Sequence, residues 1–163
     1  PPSWVSGPFS FICPRINSGA NERLILPHVT YRLYFHVVFS TKRRLPLLTQ
    51  GLIADIRNTV QDLSIEIGFQ AIATGGYEDH LHLLLSRPPH MNLATVIKRI
   101  KGRTSRENAD LYWQTGYYVE TVSDSGVANL TDYIQHQWQK HKLRALEDAG
   151  FFEPIFSPPL PAN

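Results

Sequence analysis

Four short stretches of this chain read as strands and three longer ones as helices. Tyr31 to Ser40 alternates, with Tyr31, Leu33, Phe35, Val37 and Phe39 on one face and Arg32, Tyr34, His36, Val38 and Ser40 on the other. Its aromatic and β-branched residues suit a pleated, half-buried surface. After Pro46, Thr49 is placed to cap a helix with the stripe Leu52, Ile56, Val60, Leu63 and Ile67, closed by Gly68. Phe69 to Thr74 and His80 to Ser86 give two more strands, with Gly75, Gly76 and Asp79 expected in a tight hairpin turn between them. Pro88 and Pro89 precede a second helix, capped by Asn92 and burying Leu93, Val96, Ile97 and Ile100. Tyr117 to Val122 is the fourth strand. Past the loop Ser123 to Gly126, a third helix carries Val127, Leu130, Ile134 and Trp138 at spacings of three, four and four.

The order β-α-β-β-α-β predicts an α+β fold: a ferredoxin-like sandwich, with a four-stranded antiparallel sheet covered on one face by two helices. The third helix is extra. If Leu81, Leu83 and Leu85 pack under the two covering helices, His80 and His82 face the open side of the sheet. The third helix must bury its own apolar stripe, and docking near that open side would bring its Tyr133 and Gln137 towards the histidines.

Two imidazoles on one face of a strand suit a divalent metal, although a satisfied structural pair is the plainer explanation of such a motif. Tyr133 and Gln137, four residues apart, would stack on one face of one helix and offer a hydroxyl nucleophile and a neutral oxygen ligand. Together these are the parts needed for metal-assisted attack of a tyrosine on a phosphodiester. A free phenol titrates at about 10, so such a tyrosine needs help from the metal or a base. Asp79 could orient a histidine from behind, or simply belong to the turn.

Composition narrows the class. The 163 residues are 42% hydrophobic and 18% charged, which fits one globular domain rather than a disordered chain. No apolar run approaches a membrane span and the start lacks a signal-peptide pattern, so no membrane partner is expected. Cys13 is the only cysteine, so no intrachain disulfide can form and a reducing, cytoplasmic setting is expected. Residues 1–27, with Pro1, Pro2, Pro8, Pro14 and Pro27, read as a tail outside the domain. The domain itself is placed at 28–143 and a C-terminal tail at 144–163.

Net charge is only +2, so the position of the charge matters more than its amount. Lys98, Arg99, Lys101, Arg103 and Arg106 cluster on and after the second helix, and Lys42, Arg43 and Arg44 follow the first strand. Such clusters can neutralise phosphates along a nucleic-acid backbone, or form an ordinary solvated face. Tyr112, Trp113, Tyr117 and Tyr118 nearby could stack exposed bases, or belong to strands and core.

With these motifs in order, the chain resembles the single-tyrosine transposases of small bacterial insertion sequences, members of the His-hydrophobe-His nuclease superfamily. The resemblance rests on Val38 to Arg44, Asp79 to Leu84, Ile97 to Gly102, Trp113 with Gly116 and Tyr117, and Tyr133 to Gln137, and covers about residues 30–142. It implies a transposase in which Tyr133 is the nucleophile and His80, His82 and Gln137 hold Mg²⁺ or Mn²⁺. It further implies cutting of single-stranded DNA at hairpin-marked element ends through a covalent 5′-phosphotyrosine. A homodimer is implied too, in which the tyrosine helix can complete the other subunit's site. Two other readings remain open at this point: a host-adopted, hairpin-processing or relaxase-like nickase, and a non-catalytic ferredoxin-like nucleic-acid-binding module.

Overall fold

A computed structural model describes residues 31–148 of the chain. The compact unit that carries every element below begins at Leu33. In chain order the elements are β1 (Tyr34–Ser40), α1 (Gln50–Ile67), β2 (Gln70–Tyr77), β3 (His80–Ser86), α2 (Leu93–Glu107), β4 (Tyr118–Val122), α3 (Val127–Gln135) and α4 (Gln137–Asp148). The strands form one four-stranded sheet in the order β2-β3-β1-β4, with every neighbouring pair antiparallel. This is the expected α+β, ferredoxin-like arrangement. β1 and β3, the two strands that carry histidines, are its centre. The Pro-rich stretch 1–27 lies outside the described residues. Of the expected tail after 143, α4 continues as helix to Asp148.

Local signals explain where the elements start and stop. The Thr49 hydroxyl accepts the Leu52 N–H at 3.2 Å, and Gly68 ends α1 in the left-handed conformation at φ 87°. Asn92 Oδ1 accepts the N–H groups of Ala94 and Thr95 and so starts α2. β1 begins at Tyr34 rather than Tyr31, because its partner β3 ends at Ser86, just before Arg87 and the two prolines. β4 likewise begins at Tyr118 rather than Tyr117.

Alternation divides the sheet into two faces. Val37, Phe39, Leu81, Leu83 and Leu85 pack with Ile56, Val60 and Leu63 of α1 and Val96, Ile97 and Ile100 of α2 in the main core. Fully burying one such side chain contributes roughly 1.5–3 kcal/mol, so Leu81, Leu83 and Leu85 fix the phase of β3. The opposite face carries a smaller cluster, in which Tyr34, Ala73 and Leu84 are covered by Val127 and Ile134 of α3. The third helix therefore docks on the histidine side of the sheet.

Two expectations need correction. Gly75 and Gly76 lie within β2, paired with His82 and Leu81, and the turn is Glu78-Asp79. The pair Tyr77–His80 closes the hairpin, three residues beyond the expected strand end at Thr74. The single helix expected through Tyr133 and Gln137 is in fact two, broken at His136 (φ −99°, ψ 10°). There the His136 backbone N–H and its ring Nδ1 both bond to the Asp132 carbonyl, so the side chain competes for the acceptor that closes the helix.

Candidate active site

β3 sets His80 and His82 on the face opposite the main core, beside Leu84 of the smaller cluster. Their rings stand 5.1 Å apart, centre to centre, at 74°. A bulge at Ile72 resets the phase of β2, so that Ala73, Gly75 and Tyr77 pair with Leu84, His82 and His80. Gly75 leaves room for the end of α3 above it. From that end Tyr133 reaches over His82, edge to face, with ring centres 5.9 Å apart. Gln137, the first residue of α4, is buried at 2% exposure although Tyr133 is 39% exposed. A continuous helix would have stacked the two on one face; the break at His136 turns Gln137 inward instead.

One cavity of about 490 Å³ gathers Arg44, His80, His82, Tyr133, Gln137 and His141 with Gln114 to Tyr118. The structure thus brings His80, His82, Tyr133 and Gln137 together within one chain.

Each inward group is held from behind. His80 Nδ1 bonds Asp79 Oδ1 at 2.6 Å, and Arg44 Nε donates to Asp79 Oδ2 at 2.8 Å. Burial opposes ionisation of Asp79, but the hydrogen bonds from His80 and Arg44 prevail and hold its carboxyl below the usual range. Asp79 is therefore both a turn residue and the support of His80. His82 Nδ1 lies 2.9 Å from His36 Nε2, and His36 Nδ1 lies 2.7 Å from Glu120 Oε1. Burial, followed by the positive potential of His80, His36 and His141, pushes the His82 imidazole down to about 3, so it is neutral. Gln137 Nε2 donates to His141 Nε2 at 2.8 Å, and His141 stacks on Tyr77. Gln137 Oε1, by contrast, is buried and finds no hydrogen-bond partner among the described residues.

These donors fit a divalent ion. Two imidazoles with their outer nitrogens engaged and one unpartnered amide oxygen make an N,N,O set, while among the described residues no cluster of three His, Cys, Asp or Glu could do so. Imidazole suits divalent transition ions, and a carbonyl oxygen such as that of Gln137 suits Mg²⁺ or Mn²⁺. A buried carbonyl oxygen without a partner costs free energy that an ion would recover.

The basic residues do not form one patch. Lys42, Lys98 and Lys101 line a groove of about 620 Å³ with Tyr112, Trp113 and Tyr117, and this groove shares Gln114 to Tyr117 with the histidine cavity. Lys101 Nζ is anchored on the carbonyls of Gln114 and Gly116. Arg99 and Arg103 turn instead to Glu66 on α1, at 3.5 and 3.0 Å, and Arg103 also bonds Glu107. Arg106 is exposed in the last turn of α2. Arg43 and Arg44 adopt left-handed backbone conformations, φ 59° and 55°, in the turn after β1, which lets Arg44 reach Asp79. Sequence reasoning passed over His36, Glu120 and His141. His36 was at least on the correct face of β1, but its partners lie 46 and 84 residues away, visible only from strand register.

The match of a family model to most of the chain sets its class, a DNA-processing domain of the transposase kind. The chain belongs to the IS200-like transposase family, whose model matches residues 29–137. It is 26% identical to the ISDra2 transposase TnpA of Deinococcus radiodurans over 122 residues, which are 68% of this chain and 87% of that one. It is 28% identical to the transposase of insertion sequence IS200 from Salmonella typhimurium over 134 residues, 72% of this chain and 85% of the relative. The 1.90 Å crystal structure of a protein assigned as a transposase from Deinococcus radiodurans R1 matches with a TM-score of 0.55 at 25% identity, over 73% of this chain and 98% of that one. A REP-associated tyrosine transposase bound to a REP hairpin shares the fold, with a TM-score of 0.55 at 15% identity over 90% and 95% of the two chains. Family membership makes DNA the partner and DNA cleavage with strand transfer the activity. No described helix is long and apolar enough to cross a membrane.

Proposed function

We propose that this transposase cuts and rejoins single-stranded DNA with Tyr133 as nucleophile and with His80, His82 and Gln137 as ligands of Mg²⁺ or Mn²⁺. The observation that carries the reading is the Tyr133 ring lying 5.9 Å from that of His82, in a cavity also lined by Gln137 with its unpartnered Oε1. When bound, the ion would polarise a non-bridging phosphate oxygen and offset charge on the leaving 3′ oxygen.

The chain's own residues do the rest. Tyr133 loses its phenol proton and its oxygen attacks phosphorus; the bond to the 3′ oxygen breaks, that oxygen takes up a proton as a 3′ hydroxyl, and a 5′-phosphotyrosine forms. The new phosphodiester keeps the energy of the one broken, so a 3′ hydroxyl can reverse the step without a nucleotide cofactor. Lys140 Nζ sits 5.0 Å above the Tyr133 ring and adds positive potential where phenolate charge develops. Asp79 keeps the ring of His80 oriented. Lys42, Lys98 and Lys101 would neutralise backbone phosphates, while Tyr112 and Tyr117 stack unpaired bases. Arg43 and Arg44 approach the strand at the cavity mouth; Arg99, Arg103 and Arg106 add long-range attraction only, two of them being paired to carboxylates.

A hairpin at the element end is the substrate feature most consistent with the hairpin-bound relative of the same fold. A homodimer belongs to the same proposal, because β4 is an edge strand with Tyr118 and Val119 exposed, open to a second copy. The test is to incubate the protein with labelled single-stranded and duplex DNA in Mn²⁺ and to resolve the products under denaturing conditions. A covalent protein–DNA band from the single strand alone is expected. Free nicked DNA with no adduct would refute the tyrosine mechanism.

A further inference from the structure

We propose that His36 and Glu120 are positioning residues that set which nitrogen of His82 carries its proton, leaving His82 Nε2 with a lone pair directed away from them. The inference rests on the metal reading above, because a lone pair at Nε2 is what a ligand needs.

Donor and acceptor roles run along the chain of contacts in one direction. Glu120 is a carboxylate and can only accept. Its pKa is held low chiefly by the hydrogen bond from His36, then by that from Tyr118. At 2.7 Å from Glu120 Oε1, His36 Nδ1 must therefore carry a proton. When the His36 ring carries only that one proton, its lone pair lies on Nε2, 2.9 Å from His82 Nδ1. That lone pair accepts from His82 Nδ1–H, so the second nitrogen of His82 is the unprotonated one. The two rings lie almost parallel, at 11°, with their centres 5.1 Å apart.

The relay crosses three strands. Glu120 on β4 stands directly opposite His36 on β1, and His36 is the diagonal neighbour of His82 on β3. Its inner part is closed to water, with His36 at 7% and His82 at 8% exposure. Tyr118 Oη donates to the other Glu120 oxygen at 3.1 Å, which holds the outer end in line. A histidine placed only to fill space would need no carboxylate behind it. Outer partners of this kind typically change metal affinity by about 10- to 100-fold.

The test uses the full chain with ¹⁵N-labelled histidine, metal-free and in mildly alkaline buffer. Long-range proton–nitrogen correlation spectra report the tautomer of His82, and calorimetry reports Mn²⁺ affinity. The wild type should show His82 protonated at Nδ1. His36→Phe keeps a ring but offers no acceptor, so the Nε2–H tautomer should appear and Mn²⁺ affinity fall about 10- to 100-fold. His36→Gln restores an acceptor oxygen and should return both readouts most of the way. Should His36→Phe fail to fold, Glu120→Ala at the exposed end tests the same relay and should produce a mixture of tautomers. An Nε2–H tautomer in the wild type, or an unchanged tautomer in both His36→Phe and Glu120→Ala, would overturn the proposal. Wild-type protein that binds no Mn²⁺ refutes the metal reading instead, and the tautomer alone then decides the relay.

Discussion

Gly75 and Ile134 meet so closely that a single methyl group would separate them: a Cβ at Gly75 would stand 2.2 Å from the Ile134 carbonyl oxygen. Because Gly75 pairs with His82 across the strands, this contact sets the height of α3 above the histidines. Tyr133 precedes Ile134 and follows whatever Ile134 does.

Gly75→Ala should therefore lift the end of α3 and displace Tyr133. Overpacking of this kind costs about 1–3 kcal/mol, and DNA cleavage should fall much further than stability or DNA binding. Parallel thermal melts and cleavage rates check this. A variant that cleaves normally would mean that the height of α3 does not matter.

The fold was largely legible because each strand and helix declares its own period. The alternation of Leu81, Leu83 and Leu85 was enough to place the histidines on the far face, and Asn92, Thr49 and Gly68 marked helix ends. The failures share a physical cause. The hairpin turn depended on strand register, which placed both glycines inside β2, Gly75 beneath the end of α3 and Gly76 against the β3 backbone, not in the turn. The break at His136 depends on a side chain competing for one carbonyl, which apolar spacing does not report. Residues that support the site from neighbouring strands, His36 and Glu120, carry no local pattern at all.

The proposed ligand set predicts a graded loss. Losing an outer partner typically costs about 10- to 100-fold in metal affinity, so His80→Ala and His82→Ala should each weaken Mn²⁺ binding by about 100-fold or more. Gln137→Ala should cost about tenfold, since an amide oxygen is the weaker donor for transition ions. Calorimetric titration of the three variants decides it. Wild-type affinity in both histidine variants would make the pair structural.

Acid should destabilise the metal-free protein through His82. Burial and then its positive neighbours lower its pKa from 6.5 to about 3, so between these values the unfolded chain binds a proton that the folded chain does not. Stability from this residue is complete above about pH 6.5 and declines as pH falls towards about 3. His82→Phe cannot titrate, and its melting temperature should fall less steeply over the same window. Parallel slopes would show that His82 is not held neutral by the fold.

The most direct measurement of the central claim is the site of covalent attachment. Wild-type protein and Tyr133→Phe are incubated with single-stranded DNA and Mn²⁺, the DNA is trimmed by nuclease, and the peptides are weighed by mass spectrometry. The wild type should carry a nucleotide on the peptide containing Tyr133, and Tyr133→Phe should fold and bind DNA yet carry none. An adduct on another tyrosine, or one that persists in Tyr133→Phe, would contradict the assignment of Tyr133 as the nucleophile.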